Sequence, residues 1–225
     1  MRILLVGAGG VGAAVVSIAA RRSFFEAMVV ADYDLDRAAR AVSAVDDPRF
    51  VAARVDASSA SAVAALCREH RVTHVLNAVD PRFVMPVFTG AFDAGADYLD
   101  MAMSLSSPHP VSPHAECGVK LGDEQFALAS SWVDSGRLAL VGIGVEPGLS
   151  DVFARYAADH LFGEIDELGT RDGANLVVTD DDGNEIFAPS FSMWTTIEEC
   201  LNPPVIWQDG EWFTTAPPQT EDRPA

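Results

Sequence analysis

The 225 residues predict an α/β fold, a doubly wound parallel sheet over residues 1–150, followed by part of a second, α+β domain over residues 151–225. Three observations lead there. Short apolar runs alternate with helix-length, alanine-rich segments as far as about residue 161. Four glycines crowd the first connection, GAGGVG. Beyond about Gly163 the alternation stops, and turn-rich segments of strand character replace it.

The first element needs a decision. Ile3 to Ala20 is eighteen residues without a charge, flanked by Arg2 and by Arg21-Arg22. That length suits a membrane span or the core of a secretory signal. The glycines argue against both, because each would cost a helix interior about 1 kcal/mol. A strand–turn–helix reading uses all of them. Arg2 to Val6 is a strand. Gly7 to Gly12 matches G-x-G-x-x-G. Gly7 allows the tight turn, Gly9 lets the backbone approach a pyrophosphate, and Gly12 lets the helix pack close. Gly10 and Val11 complete the loop. Val11 to Arg21 is the helix whose N-terminus faces the phosphate. This is the Rossmann dinucleotide fingerprint.

The second strand, Met28 to Ala31, ends at Asp32, 20 residues past Gly12. An acid there hydrogen-bonds the ribose hydroxyls of NAD and repels a 2′-phosphate. Arg37 favours the phosphate, but Asp32 stands at the strand end itself. The expectation is NAD rather than NADP.

The alternation then continues. Leu35 to Val45 is a helix. Phe50 to Val55 is a strand ending in Asp56, and Ser58 or Ser59 caps the helix to about His70. Val72 to Ala78 is a strand, followed by Val79 and Asp80. Pro81 opens a helix that Gly95 stops. Tyr98 to Met101 is a short strand, and Ser104 to Pro113 a loop. Asp123 to Ser135 is a helix closed by Gly136. Leu138 to Val145 is the sixth strand, and EPGLSD leads into a helix from Ser150 to Leu161. Ligands of such sheets sit beyond the carboxyl ends of the strands. Those ends carry the glycine loop, Asp32, Asp56, Asn77, Ala78, Val79, Asp80, Asp100 and Glu146. Asp56 equally reads as a helix cap, and Asp80 as a turn residue.

In the second region Ile165 to Gly169 and Asn175 to Val178 read as strands. Thr179 to Glu185 is an Asp/Gly turn that lacks the spacing of an EF-hand. A short helix starts at Ser192 or Thr195, with Glu198 as capping partner. Val205 to Trp207 and Glu211 to Thr214 form a hairpin around Asp209-Gly210. PPQTEDRPA reads as disordered.

Composition narrows the partners. Net charge is −18, with 33 acidic against 15 basic residues. Such a surface disfavours nucleic acid and anionic membrane. Cys67, Cys117 and Cys200 are widely spaced, with no C-x-x-C, which suits reduced thiols and a cytoplasmic protein. His109 and His114 lack the carboxylate or thiol cluster of a metal site. No metal is expected.

ILLVGAGGVG, LNAVDPRF, AGADYLDMA, GVEPGLSDVFARYAAD and FSMWTTIEECLNPPV together resemble the saccharopine dehydrogenase family, including its lysine dehydrogenase-like members. The resemblance runs to about Thr214. It implies an oxidoreductase acting on the C–N bond of an amino acid of the lysine or saccharopine type. NAD would take a hydride from the carbon bearing the amine, giving an imine that water hydrolyses. It also implies a larger second domain for substrate binding and dimerisation. The chain is therefore expected to lack a C-terminal half and to form a homo-oligomer. Within that chemistry, Asp100 and Glu146 are candidates to hold the amine or accept its proton. The helix start at Gly148 and Ser150 offers N–H groups to a substrate carboxylate, and Arg171 could pair with it. Two alternatives stay open: a non-catalytic NAD-binding protein or remnant, and an NADP-dependent reductase joining an amine and an aldehyde.

Overall fold

The computed structural model describes residues 1–170, 177–186, 197 and 201–215. Six strands form one sheet in the order β3-β2-β1-β4-β5-β6, and every pairing in it is parallel. They are β1 (Arg2–Val6), β2 (Ala27–Asp32), β3 (Phe50–Arg54), β4 (His74–Asn77), β5 (Asp97–Asp100) and β6 (Ala139–Leu140). The helices between them are α1 (Gly10–Ala19), α2 (Leu35–Ser43), α3 (Ala60–Glu69), α4 (Val84–Ala94), α5 (Asp123–Phe126) and α6 (Ala129–Asp134), and α7 (Leu149–His160) follows. This is the doubly wound sheet that the sequence predicts, with its strand order reversing between β1 and β4.

Both faces of the sheet are covered, which is why Ile3 to Val6 of β1 are all apolar and buried. On one face Leu4, Val29, Val75, Phe88, Tyr98 and Trp132 are buried in a single cluster. Phe88 packs edge-on to Tyr98 at 5.0 Å and lies 4.9 Å from Trp132. On the other face Leu5, Val16, Val30, Ala38 and Phe50 are buried together. Burying an aliphatic or aromatic side chain of this kind stabilises the fold by roughly 1.5–3 kcal/mol each.

The caps follow local chemistry. The Asp34 carboxylate accepts from the N–H groups of Asp36 and Arg37 and starts α2. The Ser59 hydroxyl accepts from Ala62 N and starts α3. Gly95, at φ 70°, stops α4 in the left-handed region.

Three elements differ from expectation. The helix expected over Asp123 to Ser135 is two, because Leu128 leaves helical geometry at φ −99°, ψ 5°; no glycine or proline marks the break. The strand expected over Leu138 to Val145 keeps only Ala139–Leu140. Gly142, at φ 65°, turns the chain over the end of β5, where its N–H and that of Ile143 bond to Asp100. Ile165 to Gly169 forms no strand; its residues are exposed and make no ladder.

The second region contains two small hairpins. β7 (Val178–Thr179) pairs with β8 (Glu185–Ile186), and β9 (Val205–Gln208) pairs with β10 (Glu211–Thr214). Asp180 closes the first turn by accepting from Asp182 N and Asn184 N. Asp209 and Gly210 have φ 53° and 88°, as a type I′ turn requires. Trp207 and Trp212 then face each other across the strands at 5.1 Å. The helix expected near Ser192 and Thr195, its capping residue Glu198, Trp194 and the last ten residues lie outside the described residues. No helix among the described residues is long and apolar enough to cross a membrane.

Candidate functional site

β1 delivers the glycine loop to the switch point of the sheet. Gly7 sits at φ 102°, and a Cβ there would stand 2.6 Å from Ala78 O. A Cβ on Gly12 would stand 1.9 Å from Gly7 O. These two positions are glycine because the backbone passes too close for anything larger. Gly9 and Gly10 differ: a Cβ on either meets nothing within 4 Å. Space is open above them. The N–H groups of Gly10, Val11 and Gly12 head α1 with no intrahelical acceptor, and the first turn of α1 carries no acid. Loop, open space and helix start fit the pyrophosphate of a dinucleotide.

Asp32 ends β2 at 5% exposure. One oxygen accepts from Ala8 N at 2.9 Å, the other from Asp34 N at 3.0 Å. Arg37 meets that second oxygen at 3.4 Å. The carboxylate therefore braces the glycine loop from inside. Outward of it, the Arg37 guanidinium lies 5.2 Å from the Tyr33 ring centre, and Arg54 donates to Tyr33 O at 3.2 Å. Arg37, from the first turn of α2, and Arg54, at the end of β3, thus both contact Tyr33. Asp56 closes its own turn, accepting from Ser58 N at 2.9 Å and from the Ser58 hydroxyl at 2.6 Å. Those bonds, the side-chain one first, hold its carboxyl below the usual range.

The other half of the cleft lies over β4 and β5. Its lining includes Val11, Asn77, Ala78, Val79, Asp100 and Met101, around a hollow of about 100 Å³. Beneath it runs a buried polar chain. Val79 N donates to Asn77 Oδ1 at 3.2 Å, so the Asn77 amide group points its Nδ2 at Tyr98 Oη, 2.9 Å away. The Tyr98 hydroxyl then donates to Asp100 Oδ2 at 2.9 Å. From the other side Ser104 N donates to Gln125 Oε1 at 2.8 Å, which turns Gln125 Nε2 onto Asp100 Oδ2 at 2.7 Å. Asp100 Oδ1 accepts from Gly142 N at 2.7 Å and from Met103 N at 3.2 Å. Four donors converge on one carboxylate. Two backbone N–H groups fix both amide orientations, so the Asn77 amide donates to Tyr98, and the Tyr98 hydroxyl and the Gln125 amide donate to Asp100. Burial, first, and the adjacent Asp100 charge push the Tyr98 hydroxyl far above the ordinary phenol range.

This arrangement corrects the expectation that Asp100 accepts a substrate proton. A carboxylate offers about four lone-pair sites, and all are used here. Glu146, the other candidate, is exposed in the loop before α7. The carboxylate seat expected at Gly148 and Ser150 is also corrected. Gly148 N is taken by Asp151 Oδ2, Leu149 N by Gly144 O and Ser150 N by Val145 O. The acid in the first turn of α7 further opposes an anion there. The buried Ser150 hydroxyl at this start has no hydrogen-bond partner. Arg171 lies outside the described residues. Among the described residues no group of three or more His, Cys, Asp or Glu side chains is arranged to hold a metal.

Sequence reasoning missed Tyr33, Arg54, Tyr98 and Gln125. Tyr98 carried a signal, since i and i+2 on a strand share a face and DYLD puts it beside Asp100. Gln125 carried none.

Fold and cleft define a dinucleotide-binding domain of Rossmann type. Residues 3–140 match the saccharopine dehydrogenase NADP binding domain. The chain belongs to the saccharopine dehydrogenase family. It is 29% identical over 223 residues to the carboxynorspermidine synthase of Vibrio alginolyticus, covering 94% of this chain and 51% of that protein. It is 27% identical over 235 residues to the carboxyaminopropylagmatine dehydrogenase of Synechocystis, covering 100% of this chain and 55% of that protein. The chain thus spans about half the length of the curated relatives it matches. Among solved structures, apo saccharopine dehydrogenase (L-Glu forming) from Saccharomyces cerevisiae aligns with a TM-score of 0.53 and 19% identity, over 71% of this chain and 31% of that one. That likeness is one of fold. The family's domain is described as binding NADP, so a nicotinamide cofactor is supported, and the match points away from the NAD preference expected from Asp32.

Proposed function

We propose that the chain is the cofactor-binding part of an NADP-dependent reductase that makes or breaks the C–N bond of a carboxylated polyamine. The observation that carries the cofactor is the pair Arg37 and Arg54 around Tyr33, with Asp32 turned inward to Ala8 N and Asp34 N. Arg37 and Arg54 suit a 2′-phosphate, and the Tyr33 ring, 67% exposed, suits an adenine face. The names of the relatives supply the substrate class, since both contain a carboxylated amine of polyamine type. The net charge of −18 favours the approach of a polycation.

The bound cofactor supplies the hydride that reduces a C=N bond to a secondary amine, or takes it back in reverse. The chain's own residues do the rest. Gly9 and Gly10 leave room for the pyrophosphate, and the N–H groups at the start of α1 bind it. Asn77 to Val79 and Met101 wall the nicotinamide side and keep water from it. The amine and the carbonyl condense with loss of water before reduction, so both must be held over the same hollow.

The test is a pair of measurements. Calorimetric titration should show NADPH binding at least about tenfold tighter than NADH, with Arg37→Ala erasing most of that difference; a charge-assisted phosphate contact is worth roughly 1.5–3 kcal/mol. Absorbance of the reduced nicotinamide is then followed with NADP⁺ and carboxynorspermidine, and with NADP⁺ and saccharopine. Equal affinity for NADH and NADPH overturns the cofactor reading. Turnover of saccharopine alone overturns the substrate class.

A further inference from the structure

We propose that Asp100 is a fixed anion built into the floor of the cleft, where its charge favours a cation over a neutral group: the oxidised nicotinamide ring over the reduced one, and a protonated C=N group over a neutral one. The inference rests on the NADP reading above and deepens it.

The direction of the hydrogen bonds comes first. Asn77 donates a hydrogen bond to Tyr98, Tyr98 donates one to Asp100, and Gln125, Gly142 and Met103 each donate one to Asp100 as well. An ionised carboxylate is an acceptor only. A protonated one would set its own O–H against one of these donors. The network is therefore complete only around the anion.

The second point is the missing counter-charge. Asp100 is 1% exposed, and among the described residues no cationic side chain makes an ion pair with it. Buried carboxylates are normally paired. Here neutral dipoles hold the charge, and its field remains available to the cleft it helps to line. The walls beside it are apolar, among them Val11, Val79, Val84 and Met101, so water screens that field little.

The third point is position. In such sheets the two nucleoside halves lie on opposite sides of the switch point. Tyr33 follows β2, Arg37 sits in the first turn of α2 and Arg54 ends β3. The nicotinamide half then lies over β4 and β5, where Asp100 ends β5 beside Asn77 of β4. The ring carries a positive charge when oxidised and none when reduced. An iminium differs from its imine in the same way.

The experiment measures the dissociation constants of NADP⁺ and NADPH on the 225-residue chain by calorimetry and takes their ratio. Asp100→Asn should shift that ratio at least about tenfold toward NADPH, on the order expected of one nearby, partly screened charge. Asn places an N–H₂ group among donors, so this variant also risks the fold. Ala102→Lys adds a cation to the cleft wall without touching any of the four hydrogen bonds, and should shift the ratio in the same direction. Tyr98→Phe removes one donor but keeps the charge, and should leave the ratio unchanged. An unaltered ratio in Ala102→Lys and in folded Asp100→Asn, or a shift in Tyr98→Phe as large as theirs, overturns the proposal. If the unmodified chain binds neither form, the cofactor reading itself fails, and this inference falls with it.

Discussion

Gly9 and Gly12 are three residues apart in one loop, and adding a side chain to each should have opposite consequences. A Cβ on Gly12 would lie 1.9 Å from Gly7 O and 2.9 Å from Gly7 C. Comfortable separation is about 3.5 Å, so the start of α1 must withdraw by roughly 1.5 Å. Val16 and Ala19, buried on the inner side of α1, would move with it and lose contact with the sheet. Overpacking of this kind costs about 1–3 kcal/mol. The atom met is a backbone oxygen that cannot swing aside, so the upper end applies, less about 1 kcal/mol from the better helix propensity of alanine. A net loss of about 2 kcal/mol lowers the melting temperature by roughly 4–8 °C in a chain of this size. Gly9 is extended at φ −71°, ψ −160°, and a Cβ there meets nothing within 4 Å. Gly9→Val should therefore melt within a degree or two of the unmodified chain, yet bind NADPH more than about tenfold more weakly, because its methyl groups fill the approach to the pyrophosphate. Thermal unfolding by circular dichroism and calorimetric titration read the two effects separately. An unchanged melting temperature in Gly12→Ala, or unchanged affinity in Gly9→Val, would refute the assignment of tight packing to one and cofactor space to the other.

Burial pushes the Cys67 thiol up to about 11, while the unfolded thiol titrates near ~8.5. The stability this neutral thiol contributes is whole below about pH 8.5 and is lost as pH rises to about 11, by about 3 kcal/mol. Urea midpoints across that range should fall more steeply for the unmodified chain than for Cys67→Ala, and parallel slopes would contradict this. Native alkylation at pH 8 should label Cys117, which is half-buried, and spare Cys67; labelling of Cys67 at a comparable rate would count against its burial. Self-association is expected through the apolar stripe Leu149, Val152, Phe153 and Tyr156 of α7 and through the Trp207–Trp212 pair, all exposed. Copies of net charge −18 repel, so sedimentation should show association strengthening between about 0.05 and 0.5 M salt. A monomer at both salt concentrations sinks that expectation.

The nucleotide half was legible because its signals are local. Strand and helix periods differ, and the glycines of residues 7–12 have one structural use apiece. The hairpin at Asp209-Gly210 was legible for the same reason. Misreadings fall where long-range partners decide. Gly142 and Gly144 looked like small members of an apolar strand. Gly142 instead bends the chain so that its N–H reaches Asp100, 42 residues away. The start of α7 resembled an open anion seat, but Asp151, Gly144 and Val145 consume its N–H groups. Ile165 to Gly169 carries strand composition with no neighbour among the described residues to complete a ladder.

Asp32 and Asp100 were both read as ligand-facing acids, and both are buried at strand ends. What separates them is their company. Asp32 has Arg37 beside it and spends its charge on the glycine loop. Asp100 has only neutral donors. Under the proposed reading, a chain of net charge −18 accommodates an anionic cofactor by sorting charge along one cleft. At the proposed adenosine end are Arg37 in the first turn of α2 and Arg54 at the end of β3. In the middle is a helix start free of acids, whose N–H groups suit a pyrophosphate. At the end proposed for the reaction lies the buried Asp100 carboxylate. The acidity of the surface is thus compatible with cofactor binding, because the two arginines and the α1 dipole act at short range while most of the 33 acids act through solvent and are screened. The same acidity would oppose a substrate that is only an anion, which is the charge argument behind the proposed polyamine class.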